Sequence, residues 1–175
     1  KMVELAGEMA DGYMATMTTP RCIEQNVMPH LEAGARRGGR DVSDLELCQR
    51  VVCSVHPDRE LAYQRARTHI GFYSLHPLID PLVELHGLEA ERDAIRQAAM
   101  TKGLDVLATE TPDALVDALA IAGTPEEGRQ KLAEWQALTP NIIFHTPYVP
   151  PLTAEESEDT YINILSSFGA AAGVT

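Results

Sequence analysis

Basic residues are scarce in this chain of 175 residues: 14 lysines and arginines stand against 26 aspartates and glutamates, a formal net charge of -12. A field of that sign repels phosphate backbones and anionic lipid, so neither nucleic acid nor a membrane surface is an expected partner. Long apolar runs are missing as well. No stretch approaches the roughly 20 residues that span a bilayer, and Lys1 to Ala10 lacks the apolar core and cleavage site of a signal peptide. Cysteine is limited to Cys22, Cys48 and Cys53, an odd set with no Cys-x-x-Cys pair and with Cys53 inside an apolar run. Reduced thiols in a cytoplasmic protein are the expectation. His30, His69, His76 and His86 show no His-x-x-x-His spacing, so no metal site is expected. A Gly-x-Ser-x-Gly elbow, a phosphate-binding loop and a dinucleotide fingerprint are absent too.

What is present is the pattern of an ordinary globular α/β chain, 45% hydrophobic and long enough for one sizeable core. Met2, Val3, Leu5, Ala6, Met9 and Ala10 have helical spacing and run through Asp11-Gly12 into the short apolar segment Tyr13–Met17. A helix is expected over Arg21–Arg37, kinked at Pro29 or regular only from there, and stopped by Gly38-Gly39. Leu45–Val55 reads as a buried strand, and Asp58 caps a helix whose apolar face is Leu61, Ala62, Ala66, Ile70 and Tyr73. Residues 76–110 read as two or three short helices forming an insertion. Thr111-Pro112 opens another helix through Ala120, and Thr124-Pro125-Glu126-Glu127 is a helix start. Asn141–His145 is the third expected strand, Ala154–Phe168 the final helix, and Gly169–Thr175 an expected fraying tail.

Four segments in this order resemble the luciferase-like monooxygenases. They are Leu5-Ala6-Gly7-Glu8-Met9-Ala10-Asp11-Gly12, Gly34-Ala35-Arg36-Arg37-Gly38-Gly39-Arg40-Asp41, Ala122-Gly123-Thr124-Pro125-Glu126-Glu127, and Asn141 to Pro151. The last is similar to the final barrel strand and loop in the branch related to methylenetetrahydromethanopterin reductase. The resemblance implies that residues 1–175 are the C-terminal part of a (β/α)8 barrel, about three parallel strands with their helices. It implies FMN or the deazaflavin coenzyme F-420 as cofactor, a small-molecule substrate, and oxidoreductase or monooxygenase chemistry. In the family, a strand ending in a Gly-rich turn that contacts the cofactor phosphate precedes the Lys1-Met2 position, so this chain alone is expected to bind no cofactor tightly. The alternative is a non-catalytic half-barrel subunit or binding module. Three strands leave open edges and an uncovered face, so the expected partner is a second copy or the missing N-terminal half.

Barrel enzymes place functional side chains at the C-terminal ends of their strands. That rule selects Thr16 and Thr18 after the first strand, His56 after the second, and His145 and Thr146 after the third. His145 is the candidate catalytic residue, able to hydrogen-bond a cofactor ring or substrate oxygen or to serve as a general acid. Thr16, Thr18, His56 and Thr146 are the candidate cofactor contacts, with a turn-forming role the alternative for His56. The helix start at Gly123-Thr124 offers backbone N–H groups to a phosphate, but Glu126 and Glu127 there favour ordinary capping. Arg36, Arg37 and Arg40 follow a helix C-terminus, where cations complement the dipole.

Overall fold

The computed structural model describes residues 1–169; of the expected tail, Ala170–Thr175 lie outside the described residues. The chain runs α1 (Met2–Met9), β1 (Gly12–Thr16), α2 (Pro20–Cys22), a π-helical segment Ile23–Val27, α3 (Met28–Arg37) and β2 (Glu46–Val55). There follow α4 (Arg59–Ser74), α5 (Asp80–His86), α6 (Glu89–Lys102), α7 (Leu107–Glu110), α8 (Asp113–Leu119) and β3 (Ala120–Gly123). The described chain closes with α9 (Pro125–Gln136), β4 (Asn141–His145) and α10 (Ala154–Phe168).

The strands form one sheet in the order β1-β2-β3, with β4 also pairing with β2. Both registered pairs are parallel: β1 lies along Glu46–Arg50 and β3 along Val52–Val55. The strand β3 corrects the expectation of three strands: the sequence pattern carries a helix through Ala120, whereas Ala120 begins the strand. Ala-Ile-Ala-Gly is too short to show a period of two, and alanine favours helix. Pairing with β2 overrides that local preference, and α8 stops at Leu119. The four strands among the described residues are half of what a closed (β/α)8 barrel requires.

The chain divides into two compact units, the first comprising Lys1–Arg50 with Ala133–Ile143 and the second Val51–Leu132 with the chain from Phe144 onward. In the first unit α1 packs on α3 through glycines. A Cβ on Gly7 would lie 2.2 Å from the Leu31 carbonyl oxygen, and one on Gly34 would lie 1.9 Å from that of Glu4. Val27, Leu31, Ala35 and Leu45 form the core there, with Val3, Ala6, Tyr13 and Leu47 against it. Successive strand residues face opposite ways, so Tyr13, Ala15, Leu47 and Gln49 share the helix-covered face of β1 and β2. The other face is open: Met14 is 66% exposed, and Thr16 and Glu46 are exposed beside it. Proline at position 29 has no N–H to give an α-helical bond. The π-helical segment precedes it, the Met28 N–H reaching back to the Ile23 carbonyl, and the regular helix starts there.

In the second unit α4 is capped by Asp58, whose carboxylate accepts from the Glu60 and Leu61 amides. The expected face of α4 is only part of what is covered, since Tyr63, Arg65, Thr68 and His69 are buried too. The polar members need partners inside, and Arg65 donates to Asp159 at 2.6 Å and to Thr160 at 3.1 Å. Residues 80–110 form α5, α6 and α7 with a 3-10 turn between the last two, and Ile95 of α6 is fully buried.

Two capping boxes start the last helices. Glu127 and Thr124 exchange backbone-to-side-chain bonds at α9, and Glu156 and Thr153 do the same at α10. Backbone amides donating to them, Thr124 N–H to Glu127 and Thr153 N–H to Glu156, hold both carboxyls below their ordinary 4.5. A carboxyl depressed on folding adds stability above its unfolded value and loses it as pH falls through the folded one. Urea midpoints should therefore decline below about pH 4.5, and Glu156→Gln should flatten that decline. An unchanged acid limb in the variant would remove Glu156 from the account.

Candidate functional site

The second unit gathers four ring side chains at the end of β4. His145 closes the strand and is partly buried, while His69, fully buried on α4, meets it edge-to-face with centroids 5.0 Å apart. Tyr73 lies four residues further along α4, hence on the same helix side, its ring 4.9 Å from that of His69. Tyr148, in the loop after β4, is 5.2 Å from the His69 ring and 5.0 Å from His145. The two phenol oxygens are 3.0 Å apart and hydrogen-bonded. The Tyr148 amide donates to His69 Nδ1 at 3.4 Å, which leaves the proton of a neutral His69 ring on Nε2.

The loop is held from two sides. Ser157 of α10 donates to the Pro147 carbonyl at 2.9 Å, and Val149 is buried. Behind the strand, Phe144 stacks on Phe168 at 4.6 Å, fixing which face His145 occupies. Tyr148 is 51% exposed, so the cluster has a buried imidazole at its base and a phenol at its surface. Such a set can stack against a planar ring, donate to a carbonyl oxygen, and pass a proton between phenol and imidazole.

Among the other sequence candidates, His56 is drawn into a turn: its Nδ1 accepts from the Asp58 amide at 2.9 Å. Thr146 follows His145 directly and is partly buried. Thr16 and Thr18 belong to the first unit. Thr16 is exposed on the open sheet face, whereas the Thr18 hydroxyl donates to the buried Gln49 carboxamide oxygen. Between them Met17 has φ 51, a left-handed conformation uncommon outside glycine.

At α9 the Glu127 carboxylate takes the Thr124 amide at 2.7 Å, the place a phosphate would need, so capping explains that motif. The arginines after α3 tie it to α1: Arg37 pairs with Glu4 and Glu8, and Arg40 donates to the Ala10 carbonyl at 2.6 Å. Among the described residues, no group of three or more histidines, cysteines and carboxylates could hold a metal ion. No helix among them is long and apolar enough to cross a membrane.

Sequence reasoning missed His69, Tyr73 and Tyr148. His69 has no metal-binding spacing to single it out, and the helical period places Tyr73 on the core face of α4. The available signal was their four-residue separation, together with Tyr148 only three residues beyond His145.

This chain matches the family model described as luciferase-like monooxygenase over residues 1–141. It is 29% identical over 136 residues to the 5,10-methylenetetrahydromethanopterin reductase of Methanolobus tindarius, covering 77% of this chain and 41% of that protein. With the enzyme of the same name from Methanopyrus kandleri it shares 28% over 151 residues, 85% of this chain and 43% of the relative. In structure it resembles the coenzyme F-420-dependent tetrahydromethanopterin reductase from Methanopyrus kandleri, with a TM-score of 0.73 at 21% identity over 90% of this chain and 45% of that one. An F-420-dependent secondary alcohol dehydrogenase in complex with an F-420–acetone adduct gives a TM-score of 0.59 at 17% identity, over 94% of this chain and 45% of that one. The chain spans less than half the length of these proteins, and the structural likenesses establish the barrel-type fold. With its family model matched over most of its length, the chain belongs to the luciferase-like monooxygenase family.

Proposed function

We propose that this chain forms one wall of a deazaflavin-dependent oxidoreductase and works only when further strands complete the barrel. The observation that carries this is the His69–Tyr73–His145–Tyr148 cluster at the C-terminal end of a strand, where barrel enzymes build their sites. The relatives named for coenzyme F-420 favour a deazaflavin over FMN. When bound, a deazaflavin supplies the two-electron hydride chemistry, so few protein groups need react.

The half-exposed Tyr148 ring suits a planar heterocycle or a substrate ring against its face. His145 donates a hydrogen bond or a proton to a substrate heteroatom, and the buried His69 ring fixes its orientation. Thr146, next to His145, is proposed as a further contact to cofactor or substrate, and in the first unit Thr16 and Thr18 are proposed as ligand contacts in their own right; His56 serves its turn.

The open face of β1 and β2 in the first unit supports a partner that covers it, either the remaining barrel strands or a second copy of this chain. Equilibrium dialysis of the completed barrel against both cofactors tests the reading. Coenzyme F-420 should be retained and FMN should not; retention of FMN alone would overturn the deazaflavin assignment.

A further inference from the structure

An arginine stands alone in the middle of β2. In the first unit, Arg50 is paired in register with Thr16 of the neighbouring parallel strand. Registered neighbours point to the same side of a sheet about 4.8 Å apart, so the Thr16 hydroxyl and the Arg50 guanidinium share the open face. Arg50 is partly buried, and among the described residues it has no ion pair or hydrogen bond from its side chain. By contrast Arg36, Arg37, Arg59, Arg65, Arg67, Arg92, Arg96 and Arg129 meet a carboxylate, Arg40 meets the Ala10 carbonyl, and Arg21 is exposed to water.

Among the described residues of the first unit, no carboxylate on this face is paired with it. Glu46 is four residues down the same strand, roughly 13 Å away at strand spacing, and its carboxylate accepts from the Asn141 amide at 3.1 Å. Cys48 lies between them on the same face, and burial, then the Glu46 charge, pushes its thiol up, so it stays neutral. A half-desolvated guanidinium without a counter-ion is costly, and its planar fork matches the oxygens of a phosphate or carboxylate.

We propose that Arg50 and Thr16 form an anion-recognition site on the open face of β1 and β2, taking a phosphoryl or carboxylate group of a small-molecule ligand. This deepens the ligand contact proposed for Thr16, while the deazaflavin reading rests on the ring cluster of the second unit, so the phosphate titration and the cofactor dialysis fail separately.

Titration of the chain with inorganic phosphate, followed in 1H–15N NMR spectra at constant ionic strength, tests it, with acetate as a second arm. The Arg50 Nε–H and Thr16 amide signals should shift together and saturate. Phosphate saturating at lower concentration assigns a phosphoryl group, and acetate doing so assigns a carboxylate. Arg50→Gln should abolish saturation at Thr16, and Arg50→Lys, keeping charge but losing the fork, should weaken binding by about tenfold. Gln at position 50 is uncharged and fits an open face, and unchanged spectra elsewhere would certify its fold. The proposal is overturned if Arg50 and Thr16 do not move, or drift without saturating as the surface Arg36 does. It is equally overturned if Arg50→Gln leaves the Thr16 response intact, or if the completed barrel shows a protein carboxylate on Arg50.

Discussion

Removing the imidazole at position 145 from the completed barrel is expected to slow turnover by about 10²–10⁴-fold, the range for a positioned proton donor. His145→Ala should act on kcat with little change in KM, because a group that matters mainly in the transition state leaves ground-state binding alone. His69→Phe should give a smaller loss and move the pH–rate profile, since His69 touches His145 through its ring and the Tyr148 amide through Nδ1. A loss below about threefold for His145→Ala, which corresponds to well under 1 kcal/mol, would make this histidine a packing residue.

The second large effect is on stability. Gly34→Ala would improve intrinsic helix propensity by about 1 kcal/mol, yet the added Cβ would fall 1.9 Å from the Glu4 carbonyl oxygen. That oxygen belongs to the backbone of α1 and cannot swing aside as a flexible side chain would. Overpacking of this kind costs about 3 kcal/mol, so the steric effect wins by about 2 kcal/mol and the melting temperature should drop by roughly 4–8 °C. Gly39→Ala is the control: φ is 69 there with nothing within 4 Å, so the cost is the left-handed backbone alone, about 1 kcal/mol. Equal losses at the two sites would show that α1 and α3 have room to separate. The clash is also why the sequence places glycine in the middle of a helix, a choice that propensity alone argues against.

Much of the fold was legible because local chemistry and tertiary packing agree. Asp58 and Thr124 mark helix starts where the structure has them, and the final helix occupies the expected Ala154–Phe168. Agreement fails where pairing overrides propensity, as at Ala120–Gly123. It fails again on α4, where burial extends beyond one stripe and carries Arg65 and His69 inside. No hydrophobic period reports a polar residue buried with partners that are distant in sequence: Arg65 meets Asp159, and His69 meets Tyr148.

The candidate site was half legible for the same reason. His145 is a candidate from strand position alone, since this architecture builds its sites at strand ends. Its neighbours are not, because a helix and a loop bring them together only in the folded unit. Thr18 is a candidate by the same strand-end rule, and the tie of its hydroxyl proton to Gln49 is a tertiary contact that strand position does not report.

The ring cluster is proposed as one wall of a cofactor site that further strands complete. Titration of coenzyme F-420 fluorescence measures this directly, against the chain alone and against the same chain with the family's remaining βα units supplied in cis. The account predicts saturable micromolar binding by the completed barrel and none by the chain alone, a difference of at least about 4 kcal/mol between micromolar and millimolar affinity. Micromolar binding by the chain alone would contradict it and make these four strands a cofactor-binding unit in their own right.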